Sequence, residues 1–217
     1  MSGPHDVSAV LTAGEPVAGA TGAVVLLHGR GGSAADILGL SRAFSGLGLA
    51  FVAPEAANRT WYPLSFLAPR QQNEPYLTSA LDKVKRVVNG LVASGVPEER
   101  IVLCGFSQGA CLSTEFVATY PARYAGLIAY TGGLIGPPGS DLHHAGSLAG
   151  MPALFASGDP DPHVPWSRVE ESAAQLKSMG AEVTSIRYPD RPHTVSQEEI
   201  TEARKLLQKA FSPKGTK

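Results

Sequence analysis

The sequence predicts an α/β architecture, a mostly parallel central sheet with helices on both faces. Three observations carry that expectation. Short apolar runs recur along the chain, longer amphipathic stretches separate them, and the 24 glycines and 17 prolines are spread over the whole length as short connections. Regular alternation of strand and helix implies parallel strands joined by helical crossovers. In such sheets ligands bind beyond the C-terminal ends of the strands, so those ends are where chemistry is sought.

The elements follow in order. The strand candidates are 23–27 (Ala-Val-Val-Leu-Leu), 49–53, 101–104, 126–130, 153–156 and 183–188. All are rich in Val, Leu, Ile and Ala without clean polar alternation, as strands buried on both faces are. The helix candidates are 33–46, 75–94, 108–120, 166–179 and 196–211. In 75–94, Leu77, Leu81, Val84, Val88 and Leu91 recur at the three-and-four spacing of one buried face.

Composition narrows the class. The 217 residues fit one domain, 1–217, with a core from about 20 to 211 and a polar tail, 212–217, expected to be disordered. Hydrophobic residues make up 43% and charged residues 17%, enough to fill a core. The net charge is −1 and no run of Lys or Arg stands out, so there is no electrostatic case for nucleic acid or an anionic membrane. The two cysteines, Cys104 and Cys111, are too few for a disulfide scaffold or a four-thiolate zinc site and read as buried small hydrophobes. Residues 1–12 lack the basic start and apolar run of a secretory signal, and no apolar stretch is long enough to span a bilayer. A cytoplasmic protein without stable membrane insertion is the expectation.

The segment Gly105-Phe-Ser107-Gln-Gly109 follows an apolar strand and opens a helical stretch. Gly-x-Ser-x-Gly in that context is a strand-to-helix turn that holds the serine in a strained conformation and lifts its hydroxyl above the sheet edge. The next backbone N–H, that of Gln108, then sits at a helix N-terminus, facing developing negative charge. A serine hydroxyl needs a base, and the base needs an orienting group. The chain order for this turn is serine, acid, histidine. His5 and His28 precede the serine, and His143 and His144 lie in a Gly/Ser-rich loop expected to be solvated. His193 follows the last strand candidate and precedes the last helix, so it is the base candidate. The acid should follow the strand at 153–156, where Asp159 and Asp161 compete; Asp190 reads as turn chemistry. A second oxyanion donor is expected from His28-Gly29-Arg30-Gly31-Gly32, at the end of the first strong strand: the N–H of Arg30 or of Gly31. A phosphate loop is rejected there, because the Walker lysine is missing and Gly-x-Gly-x-x-Gly is not matched.

These residues together resemble the carboxylesterase/phospholipase family of α/β-hydrolases, which includes acyl-protein thioesterases. The matching pieces are His28-Gly29, the segment from Gly105 to Ala110, Gly158-Asp-Pro-Asp-Pro-His-Val-Pro165 and Pro192-His193, within a likeness running from about residue 23 to 207. The resemblance implies the α/β-hydrolase fold without a separate cap domain, an intracellular location, no metal and no cofactor. It selects Asp161, three residues ahead of the Val-Pro pair, as the acid, which leaves Asp159 to brace the loop. It also selects Arg30 as the second oxyanion donor. Arg30 is a departure, since acyl-protein thioesterases usually carry an apolar residue there; it is similar to a bacterial carboxylesterase branch and points away from long acyl chains. Dienelactone hydrolases are related, but they use a cysteine where this chain has Ser107.

The proline-stiffened segment 53–69 gathers Trp61, Tyr62 and Phe66 and reads as a rim over the substrate, with Leu134 and Trp166 as weaker candidates. The Arg30 side chain either binds an anion on the substrate or pairs with Asp36 or Glu55 to brace its loop. The leading expectation is a serine carboxylesterase for small to medium esters. An acyl thioesterase or lysophospholipase is the close alternative, and a non-catalytic ligand-binding protein on the same fold the remote one. The expected partner is a small ester or thioester, and a homodimer is plausible.

Overall fold

A computed structural model describes residues 3–212; all of the tail at 212–217 except Ser212 lies outside the described residues. Seven strands form one sheet: β1 (Val10–Gly14), β2 (Gly22–Leu27), β3 (Leu49–Pro54), β4 (Ile101–Phe106), β5 (Gly126–Tyr130), β6 (Pro152–Asp159) and β7 (Glu182–Pro189). Their spatial order is β1-β3-β2-β4-β5-β6-β7, and every pair is parallel except β1 with β3. β4 sits in the middle, so the turn that carries Ser107 opens at the centre of the sheet.

Among the described residues there are five α-helices: α1 (Ala34–Leu38), α2 (Tyr76–Ala93), α3 (Gln108–Thr119), α4 (Trp166–Ser178) and α5 (Gln197–Phe211). Alternate residues of the central strands feed two cores. Val25, Leu103 and Phe155 face α2, α3 and α4, while Val24, Cys104 and Leu154 face α1 and α5. Leu77, Leu81, Val84, Val88 and Leu91 of α2 are all buried, as their spacing predicts. Burial of each such side chain is worth roughly 1.5–3 kcal/mol.

Three features depart from the sequence reading. The helix expected over 33–46 is one short α-helix, closed at its start by a capping box between Ser33 and Asp36, followed by a 3-10 stretch over Gly39–Phe44. β1 was not foreseen: it is an exposed antiparallel edge strand without a buried face to give it a pattern. The strand expected to be buried at 183–188 is instead the opposite edge of the sheet, and most of its side chains meet solvent. Both cysteines are buried and free, as expected.

Candidate active site

The geometry of the Ser107 turn is set by its flanking glycines. A Cβ on Gly105 would overlap the Gly109 carbonyl, and one on Gly109 would overlap the Leu27 carbonyl of β2. Only residues without side chains let α3 start this close to the strands. Ser107 itself adopts φ 54° and ψ −119°, a left-handed conformation that a non-glycine residue holds only under constraint. The constraint is visible: its N–H donates to the Tyr130 carbonyl (2.9 Å), and its carbonyl accepts from Cys111 N–H (3.0 Å).

His193 lies in the loop between β7 and α5. Its Nε2 is 2.9 Å from Ser107 Oγ, and its Nδ1 is 2.8 Å from Asp161 Oδ2. An ionised carboxylate can only accept, so the Asp161 contact puts the ring proton on Nδ1 and leaves Nε2 free to accept the serine proton. The Asp161 side chain is fully buried. Burial alone would raise its pKa; the His163 N–H, the His193 ring and the Val164 N–H together overcome that and hold it below the ordinary carboxylate value. Those two backbone donors reach Asp161 Oδ1 at 2.9 Å each. Asp161 thus braces its own loop, the part the sequence reading assigned to Asp159. The Asp159 carboxylate instead pairs with Arg187. Asp190 sits at a left-handed turn (φ 55°), in keeping with its reading as turn chemistry.

Two further side chains hold His193. The Phe106 ring packs against the imidazole, with centroids 5.0 Å apart. Arg191, buried, reaches around the loop: it donates to the carbonyls of Pro192 and Thr194, on either side of His193, and to Thr131 Oγ1 (2.7 Å). It also lies 3.1 Å from the fully buried Glu199 carboxylate. Burial pushes Glu199 above the ordinary glutamate value, against the pull of the Ser196 N–H and of Arg191. Sequence reasoning missed this group because nothing marks a lone Arg in a Pro-Asp-Arg-Pro turn as an anchor.

Gln108, at the start of α3, and Arg30, in the loop after β2, line the same cavity as Ser107. Gly31, the alternative donor, is committed: its N–H donates to the Arg59 carbonyl at 2.8 Å, whereas among the described residues the N–H of Arg30 has no protein acceptor. The Gln108 side chain faces the other way, accepting from Trp61 N–H (2.9 Å) and donating to the Tyr62 carbonyl (2.8 Å).

A cavity of about 630 Å³ opens over Ser107, lined among others by Arg30, Tyr62, Phe66, Phe106, His163 and His193. Three residues expected at the rim are not in its wall. Trp61 points into the core, where its indole N–H donates to the His28 carbonyl (2.9 Å) and its ring packs on His28. Leu134 is buried beneath α4, with its N–H on Ser172 and its carbonyl accepting from Arg168. Trp166 opens α4, and the Arg187 guanidinium lies 5.9 Å from its ring centre. The Arg30 side chain pairs with neither Asp36 nor Glu55, whose carboxylates serve the start of α1. Its guanidinium donates instead to the carbonyls of Tyr62 (3.0 Å), Pro63 (2.7 Å) and Leu64 (2.6 Å).

His28 and His5 are structural. His28 is buried and neutral-favouring, its pKa lowered by burial, with Nε2 accepting from Ala56 N–H (3.1 Å). His5 bonds the 3-10 turn before Trp61 and the Trp61 carbonyl (2.9 Å for both). His144, expected to be solvated, is half-buried 3.4 Å from the buried carboxylate of Glu115. Among the described residues no group of three His, Cys, Asp or Glu is placed to hold a metal, and no helix is long and apolar enough to cross a membrane.

Comparison with known proteins bears on this arrangement. Residues 8–211 match the sequence model of a family described as phospholipase/carboxylesterase. Among curated proteins, acyl-protein thioesterase 1 of Gibberella zeae is 32% identical over 57% of this chain and 53% of its own length. A probable carboxylesterase of Oryza sativa subsp. japonica is 30% identical over 64% and 51%. The chain therefore spans about half the length of these two relatives. Among solved structures, a phospholipase/carboxylesterase from Dyadobacter fermentans superposes with a TM-score of 0.89 at 46% identity, covering 92% of this chain and 96% of that one.

Proposed function

Because this chain belongs to the phospholipase/carboxylesterase family of α/β-hydrolases, we propose that it is a serine hydrolase of small to medium carboxylic esters. The observation that carries this reading is the continuous hydrogen-bond chain Ser107 Oγ–His193–Asp161, with links of 2.9 and 2.8 Å. His193 Nε2 takes the hydroxyl proton as Ser107 attacks the ester carbonyl. Asp161, kept ionised by its N–H donors, stabilises the imidazolium that forms. The N–H groups of Gln108 and Arg30 receive the oxyanion, a contribution worth about 10²–10³ in turnover per donor. His193 then protonates the leaving alcohol, and water, activated by the same nitrogen, hydrolyses the acyl-enzyme. A mouth walled by Tyr62 and Phe66, in a cavity of drug-like size, supports small and medium acyl groups.

The curated relatives support a second reading. One of them is named as an acyl-protein thioesterase, and the same groups would cleave a thioester. A p-nitrophenyl ester series from acetate to palmitate, read beside acyl thioesters and lysolipids, separates the two. Short esters should turn over fastest, and Ser107→Ala should abolish turnover. Activity that peaks at long chains, or survives in Ser107→Ala, overturns the proposal.

A further inference from the structure

The cavity has a one-sided charge distribution. Its lining carries one permanent charge, the Arg30 guanidinium, and, among the described residues, no carboxylate. The start of α3, with the positive end of its dipole, adds to the same sign. The nearest acids are already engaged: Asp161 by His193 and two N–H groups, Asp36 and Glu55 by the start of α1.

Arg30 is the centre of this asymmetry. A guanidinium stays charged and offers five N–H donors. Three reach the carbonyls of Tyr62, Pro63 and Leu64. Nε–H and one Nη1–H remain, and among the described residues Arg30 forms no ion pair. Its charge is therefore fixed in place by neutral acceptors and left without a counter-ion at the mouth of the cavity. His163 adds a second donor across the mouth: its ring stands edge-on to His193 at 4.9 Å, is exposed, and makes no side-chain hydrogen bond among the described residues.

From this geometry we infer that the substrate is an ester carrying a carboxylate, bound on the rim side by Arg30 and assisted by His163. The inference rests on the ester-hydrolase reading above and adds the substrate's charge to it. The rim hydrogen bonds hold the guanidinium in one orientation, so little side-chain freedom is lost when an anion docks. On the hydrolase reading the Arg30 backbone N–H serves the oxyanion while its side chain extends to Tyr62–Leu64, so the substrate carboxylate lies away from the scissile carbonyl.

The test compares pairs in which a free carboxylate is masked as its methyl ester, with rates counted per scissile ester: monomethyl against dimethyl glutarate, and acetate release from 4-acetoxybenzoate against its methyl ester. At low ionic strength the anionic member should show a kcat/KM at least about tenfold higher. The preference should shrink several-fold in 0.5 M NaCl, where exposed charges are screened. Arg30→Met should remove most of the preference, Arg30→Lys should keep part of it, and His163→Leu should reduce it less. Equal or faster turnover of the neutral member at low salt overturns the inference while leaving the hydrolase reading intact. If no ester turns over, labelling of Ser107 by a neutral organofluorophosphonate decides: no labelling defeats the hydrolase reading itself. With labelling present, protection by glutarate but not by dimethyl glutarate supports the anion subsite, and equal or absent protection overturns it.

Discussion

Two fully buried carboxylates serve the same histidine, and their surroundings drive them in opposite directions. Asp161 touches the His193 ring and is held below the ordinary aspartate value; Glu199 does not touch the ring but the arginine that grips the loop on either side of it, and is held above the ordinary glutamate value. Both side chains are shielded from solvent, Glu199 the more deeply of the two. The count and alignment of donors differ as well. Asp161 receives two backbone N–H groups and the imidazole. Glu199 Oε2 accepts from Ser196 N–H, while its other oxygen faces Arg191 at 3.1 Å without an aligned hydrogen bond. Near the reacting atoms the chain maintains a charge; one layer further out it tolerates one at a cost.

The largest expected effect breaks the inner partner. Asp161→Asn should lower kcat by about 10⁴-fold, because the amide no longer enforces the Nδ1–H tautomer; steady-state kinetics on a short ester checks it, and a loss below tenfold would mean that another group orients His193. Next, Arg191→Met should cut kcat by about 10–100-fold with little change in KM, since the loop that aims His193 loses its clamp. It should also destabilise the fold by about 3–5 kcal/mol, because the Glu199 charge is left buried without its partner. Urea titration and kinetics on the same preparation measure both.

The pH dependence of stability sharpens the contrast. The Asp161 pKa is depressed in the folded state, so its contribution is present above the ordinary value of 3.8 and is lost as pH falls through the folded value. The wild type should therefore lose its stability advantage over Asp161→Asn below about pH 4. The Glu199 pKa is raised, so its contribution is present below 4.5 and is lost as pH rises through the folded value. Glu199→Gln imitates the protonated form, and its Tm relative to wild type should climb between pH 4 and pH 8. A Tm difference that is flat with pH would show that Arg191 already neutralises the site. The catalytic effect of Glu199→Gln should be the smallest of the series, within about tenfold, because the Arg191 bonds to Pro192, Thr194 and Thr131 remain.

The same contrast explains what was legible in the sequence. Ser107, Asp161 and His193 each stand just beyond a strand legible in the sequence, and their spacing and order expose them; the structure brings all three into hydrogen-bond contact. The parallel core strands were legible because burial on both faces leaves a continuous apolar run. The edge strand β1 was not, because it is exposed and carries no such run; β7 was legible as a strand at 183–188 but not as an exposed edge. Arg191 and Trp61 were misread or missed for a related reason. Their parts depend on which way a loop side chain turns, and neither an Arg between Asp and Pro nor an aromatic in a proline-rich stretch encodes that direction. Trp61 turned inward because its N–H found the His28 carbonyl.

The contact at Gly109 has one more consequence. There α3 meets the end of β2 backbone to backbone, with no side chain between them. The two strand ends that carry the Gln108 and Arg30 amides are thereby held at a fixed separation by main-chain atoms alone. The side chains at 108 and 30 brace the rim and leave that spacing to the backbone. A library randomised at these two positions would therefore sample mouth shapes and charges while the amide spacing stays constant, which makes them natural starting points for directed evolution of substrate scope.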